Sequence, residues 1–98
     1  MLKKQHLKSR PVCKVTFTLP GTIEADTASV VGDFNSWDPN AHQMKRLKNG
    51  QHKVTIDLEQ GRQHEFRYLV NGEIWINDSQ ADRYVINPFG EENSVVVT

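Results

Sequence analysis

Two tryptophans offer the plainest chemistry in this sequence, and each stands beside a turn. Trp37 lies in the segment Val31-Gly32-Asp33-Phe34-Asn35-Ser36-Trp37-Asp38-Pro39. The valines start it with strand character, and the Gly, Asp, Asn, Ser and Pro that follow have turn composition. Trp75 follows a second turn signal, Asn71-Gly72. A large apolar ring at such a place either plugs the edge of a core or meets a flat apolar ligand. Two of them beside turns predict a binding face carried on a β scaffold.

Catalytic and metal chemistry is poorly represented. His6, His42, His52 and His64 share no metal-ligand spacing, and none sits in an HExxH frame. There is no GxSxG elbow and no glycine-rich phosphate loop. Asp33, Asp38, Asp78 and Asp82 are the carboxylates that could pair as in a glycosidase. All four lie in turn-like sequence, where Asp hydrogen-bonds nearby backbone. Cys13, just before the first alternating run, reads as a half-buried apolar residue rather than a nucleophile. The expectation is a protein without catalytic residues, metal or cofactor.

Composition bounds the partners. The 98 residues fit one domain. Twelve Lys and Arg balance twelve Asp and Glu, which argues against nucleic acid, since that partner needs a basic face. No apolar run approaches the roughly 20 residues of a membrane span, and the start of the chain lacks the apolar core of a signal peptide. The single cysteine excludes an internal disulfide framework and suits a reducing, cytoplasmic setting. Lys3, Lys4, Lys8, Arg10 and Lys14 come with no acid among them. That charge predicts a basic, frayed tail over residues 1–11, or a docking arm for an acidic partner, ahead of a single domain over residues 12–98.

The apolar period is two almost throughout. Val15, Phe17 and Leu19 alternate with Lys14, Thr16 and Thr18 as a half-buried strand. Residues 28–31 predict a second strand and residues 44–47 a short third, closed by Asn49-Gly50. Val54, Ile56 and Leu58 form the cleanest alternation. Phe66, Tyr68 and Val70 face the core, with Glu65, Arg67 and Leu69 on the other side and Glu65 the expected neighbour of Arg67. Residues 74–76 and 94–98 complete the set, and Val95-Val96-Val97 could pair across an exposed edge to make a dimer. The long connection between Asn77 and Asn93 is expected to be packed by Tyr84 and Phe89 and held by local bonds of Asp78, Asp82 and Arg83. About seven short strands with closely spaced turns and no helical period predict an all-β, immunoglobulin-like sandwich.

Three segments carry a family resemblance, in order and spacing. They are Val31-Gly32-Asp33-Phe34-Asn35-Ser36-Trp37-Asp38, Phe66-Arg67-Tyr68-Leu69-Val70-Asn71-Gly72, and the run from Asn87 to Val97. Over residues 12–98 the chain resembles the family-48 carbohydrate-binding modules. These are isoamylase-type early-set domains found in glycogen branching and debranching enzymes and in the AMP-activated protein kinase beta subunit. The resemblance implies an early-set sandwich in which two tryptophans stack on glucose rings. Trp37 matches the first through its Phe-Asn-x-Trp loop. Trp75 matches the second, one residue further past its turn than in the kinase module. Arg67 takes the place of a basic residue between strand aromatics, and Asn93 that of the asparagine before the last strand. The barrel that does the chemistry in those enzymes needs about 250 residues, more than this sequence holds.

The implied function is binding of an α-1,4-glucan, such as glycogen, starch or a malto-oligosaccharide. A pyranose face of C–H groups would lie on each indole, and Arg67 and Asn93 would orient hydroxyls. The rival expectation is a protein-interaction or regulatory module that keeps the fold and docks on a glucan-processing enzyme or a kinase.

Overall fold

The alternating residues become two facing sheets in the computed structural model, which describes residues 2–98. In the first sheet, strand β2 (Val12–Leu19) turns Cys13, Val15, Phe17 and Leu19 inward. Its antiparallel partner β5 (His52–Glu59) adds His52, Ile56 and Leu58, with Val15 opposite Ile56. The outward residues are polar; the Thr16 and Thr55 hydroxyls meet at 3.0 Å. Strands β1 (Leu2–His6) and β4 (Lys45–Arg46) flank this pair, giving the order β1-β2-β5-β4.

Strand β1 corrects the expectation of a frayed basic tail. Leu2 lies opposite Phe17 and packs against the core. Lys4 crosses to Asp82 of the other sheet's connection at 2.6 Å, and His6 Nε2 lies 2.7 Å from the Thr98 carbonyl oxygen. The cause is the open edge of β2, whose backbone groups a neighbouring segment can satisfy whatever its surface charge.

The second sheet runs β3 (Ala28–Gly32), β6 (Gln63–Val70), β9 (Glu92–Val97), β8 (Arg83–Ile86), with β7 (Ile74–Ile76) also paired to β6. Its inner face supplies Ala28, Val30, Phe66, Tyr68, Val70 and Val96 to the common core. Phe66 stands edge-on to Phe17 with centroids 5.0 Å apart, a favoured aromatic geometry. Strand β8 was not expected, because its residues fall inside the connection read as a loop. It also overturns the idea of Val95-Val96-Val97 as an exposed edge: β9 lies between β6 and β8, so both its sides are taken.

The outer face of this sheet is not simply solvated. Val31, Leu69 and Val95 face away from the core cluster yet are buried. Arg67, opposite Val31, and Glu65, opposite Val95, share this outer face with them. Among the described residues, no helix is long and apolar enough to cross a membrane.

Candidate functional site

The first wall is built by the segment after β3. A single 3₁₀ turn, Asp33–Asn35, follows Gly32. A Cβ on Gly32 would stand 2.5 Å from the Glu65 carbonyl oxygen and 2.5 Å from the Phe34 ring, so only glycine lets the turn lie this close to β6. Asn35 ties the turn shut: its Oδ1 accepts from the Gly32 amide at 3.1 Å and its Nδ2 donates to the Val30 carbonyl at 3.0 Å. The Asp33 carboxylate accepts from the Glu65 amide at 3.0 Å, pinning the turn to the sheet. Ser36 and Trp37 then both adopt φ of 57°. A bulky residue held there costs on the order of 1 kcal/mol or more; the Trp37 amide bond to the Gly32 carbonyl at 2.9 Å helps hold it. The result is an indole that is 39% exposed.

The second wall comes from the β6–β7 hairpin. Val70 pairs with Ile74, so residues 71–73 form the connection, with Asn71 at φ 54° and Gly72 at φ 70°. Asn71 also accepts the Asp26 and Thr27 amides at 2.8 and 3.2 Å, fastening the turn to the approach to β3. Trp75 lies opposite Leu69, on the outer face shared with Arg67. It is 46% exposed, and the Arg67 guanidinium carbon sits 5.9 Å from its ring centroid.

The third wall is the connection between β8 and β9. Asn87 Oδ1 accepts from the Phe89 and Glu91 amides at 2.9 and 3.1 Å. Gly90 closes the turn at φ 81°. Phe89, expected to pack a loop, is instead 89% exposed at the rim. Its signal was present in Asn87-Pro88-Phe89-Gly90, an aromatic ring inside turn composition, as at Trp37. Tyr84 does serve the connection, donating its hydroxyl to the Asp78 carbonyl.

Together these walls enclose an open cleft of about 650 Å³ on the outer face of the second sheet. Trp37, Trp75, Pro88 and Phe89 supply its apolar surface, and Asp33, Glu65, Arg67 and Glu91 its charge. All four side chains singled out from sequence, Trp37, Arg67, Trp75 and Asn93, line it. Asn93 is only 5% exposed: it donates to Glu65 at 3.1 Å and accepts from Asn87 at 3.1 Å. Arg67 pairs with Glu91, not with the expected Glu65, and its Nε donates to the Glu92 carbonyl at 3.1 Å. Glu65, Asn87, Phe89 and Glu91 join the site only through tertiary placement.

The other carboxylates have structural partners. Asp38 accepts the Asn40 amide, Asp78 the Tyr68 hydroxyl, and Asp82 Lys4. A second hollow of about 620 Å³ at the end of the sandwich is lined by groups already engaged. There, His64 lies 3.7 Å from Asp33 and Arg62 2.9 Å from Glu59.

The two sheets form an early-set sandwich, and one of them bears an open cleft lined by half-exposed rings. The chain belongs to the family described as the glycogen recognition site of AMP-activated protein kinase, which matches residues 13–97. It is also similar to the 1,4-alpha-glucan branching enzyme of Photobacterium profundum, 41% identical over 58% of this chain and 8% of that protein. The amylopullulanase of Thermoanaerobacter thermohydrosulfuricus is 36% identical over 56% of this chain and 4% of its own length. A branching enzyme of Butyrivibrio fibrisolvens is 81% identical over 21% of this chain and 3% of its own. The chain thus spans less than a tenth of the length of these relatives.

Proposed function

We propose that this chain binds α-1,4-glucan chains, as in glycogen, starch or malto-oligosaccharides, by stacking on Trp37 and Trp75 and without catalysis of its own. The observation that carries this reading is the convergence of the two half-exposed indoles on one cleft, with Phe89 as a third apolar surface at its rim. An indole covers the C–H face of a pyranose and removes apolar area from water while the equatorial hydroxyls stay solvated. Rings set on separate walls suit a curved glucan. The carboxylates of Glu65 and Glu91 accept hydroxyl protons, and Arg67 and Asn93 hold the polar floor in place. An open cleft of this kind binds weakly, micromolar to millimolar, or about 4 to 8 kcal/mol. Repeated sites on a glycogen particle raise the avidity.

The test is a titration of labelled protein with a linear malto-oligosaccharide and with β-cyclodextrin, following both indole N–H signals by NMR. Saturable shifts at both indoles that vanish in folded Trp37→Ala support the reading. No shift at millimolar sugar overturns it. That outcome would favour a protein partner, a glucan-processing enzyme or a kinase, for which the exposed side chains of Ile74, Ile86 and Phe89 offer apolar contact.

A further inference from the structure

We infer that Arg67 is a positioning residue, which braces the Trp75 indole for stacking rather than hydrogen-bonding the sugar itself. This rests on the glucan-binding reading of the cleft and assigns the mechanical role within it. The strand register starts the argument. Arg67 and Trp75 lie on the same outer face of the second sheet, Trp75 opposite Leu69 and so diagonal to Arg67. Diagonal neighbours are within reach of long side chains. The guanidinium carbon stands 5.9 Å from the indole centroid, within the range of a cation–π contact.

Two further contacts hold the guanidinium there. Its Nε donates to the Glu92 carbonyl at 3.1 Å, and one terminal nitrogen donates to the Glu91 carboxylate. The arginine side chain keeps only 11% of its surface exposed, whereas Glu91 keeps 64%. A guanidinium can make these contacts together because its donors lie in a rigid plane that also stacks on rings. A lysine ammonium at the same place would be a point charge without a stacking plane. Two of the five N–H donors are engaged with protein, and the burial of the side chain leaves little of the remainder open to a sugar hydroxyl. Trp75 itself stays 46% exposed and lines the cleft, so the ring is what remains presented to a ligand. A half-exposed tryptophan in a three-residue strand beside a turn has rotamer freedom to lose on binding; a ring braced beforehand has already lost it.

The experiment compares wild type, Arg67→Met, Arg67→Lys and Glu91→Gln as full chains, each checked by its dispersed amide spectrum. In the ligand-free protein, Arg67→Met is expected to shift and broaden the Trp75 indole N–H signal and to leave that of Trp37 in place. Glu91→Gln should produce a smaller change in the same direction. A Trp75 signal unchanged in Arg67→Met overturns the brace. If Arg67→Met does not fold, Arg67→Lys and Glu91→Gln carry the same comparison.

The second arm measures β-cyclodextrin affinity in a double-mutant cycle with Trp75→Ala. Arg67→Met alone should weaken binding about fivefold to tenfold. In the Trp75→Ala background it should cost nothing further, because its effect passes through the ring. Equal losses in both backgrounds would show a direct bond from Arg67 to sugar and overturn the inference. A wild type that binds no sugar removes the glucan reading alone; the free-protein indole signals then decide the brace.

Discussion

At the scale of single residues, the core contains one polar pair that sets a pH limit on the fold. The Tyr68 hydroxyl donates to Asp78 at 2.7 Å, and both side chains are fully buried. Burial, followed by the Asp78 charge and the bond to it, pushes the Tyr68 phenol well above its ordinary value. The unfolded chain ionises the same phenol near pH 10. The folded state therefore binds the proton more tightly, and the stability from this group is complete below about pH 10 and lost as pH rises beyond it. Denaturant unfolding from pH 7 to 11 should show that decline, and Tyr68→Phe should flatten it. The same substitution removes a buried donor from Asp78 and should cost about 1–3 kcal/mol at pH 7. The role of Phe66 and Tyr68 as core residues was legible, because alternation alone turns them inward. The bond to Asp78 was not: Asp78 lies in turn composition, and its burial depends on β9, where Ser94 Oγ accepts the Asp78 amide at 2.8 Å.

At the scale of elements, the unexpected strands β1 and β8 show how edges recruit chain. Strand β1 is charged and lacks a clean apolar period, and β8 is only four residues long within turn composition, so periodicity does not mark either. Each pairs because a neighbour offers unpaired backbone, β2 for the first and β9 for the second. The link between these two sheet edges is Asp82. Partial burial pushes its carboxyl up, but the bonds from Lys4 and the Val97 amide outweigh this and hold it below its ordinary value. Its contribution is thus present above about pH 3.8 and lost as pH falls through the lower folded value. Asp82→Asn should speed hydrogen exchange of the β1 amides and lower stability by about 1 kcal/mol or less, since the ion pair is partly exposed. Unchanged exchange in β1 would show that the backbone ladder alone holds this strand. The Asn71-Gly72 hairpin is the opposite case. Its turn chemistry announced it, yet the three-residue connection that turns Trp75 outward was settled only by the pairing of Val70 with Ile74.

At the scale of the whole molecule, the sandwich separates support from recognition. One sheet presents a largely polar outer face, while the other buries Val31, Leu69 and Val95 on the outer face that also carries Arg67 and Trp75. A ligand that binds only the assembled cleft must stabilise the entire fold. Malto-oligosaccharide at 100 times its dissociation constant should add about 2.7 kcal/mol to unfolding, read as a rise in the thermal midpoint. Trp75→Ala should reduce that rise while changing the ligand-free midpoint little, because the ring is half exposed. An undiminished rise in Trp75→Ala would move the binding surface away from this cleft.

Alternation with period two, the inward sets of β2, β5 and β6, and the turns at Asn49-Gly50 and Asn71-Gly72 were determined by the sequence itself, because side-chain direction and turn chemistry are local properties of the chain. The resemblance of three short segments likewise pointed to the family and to Trp37, Arg67, Trp75 and Asn93. Which residues meet was decided only by the tertiary structure. Trp37 and Phe89 come from two separate turns and Trp75 from strand β7, and Arg67 finds Glu91 of the β8–β9 connection rather than Glu65. One residue of slip in a register would send any of these side chains to the opposite face. Long-range strand pairing therefore controls the composition of the cleft.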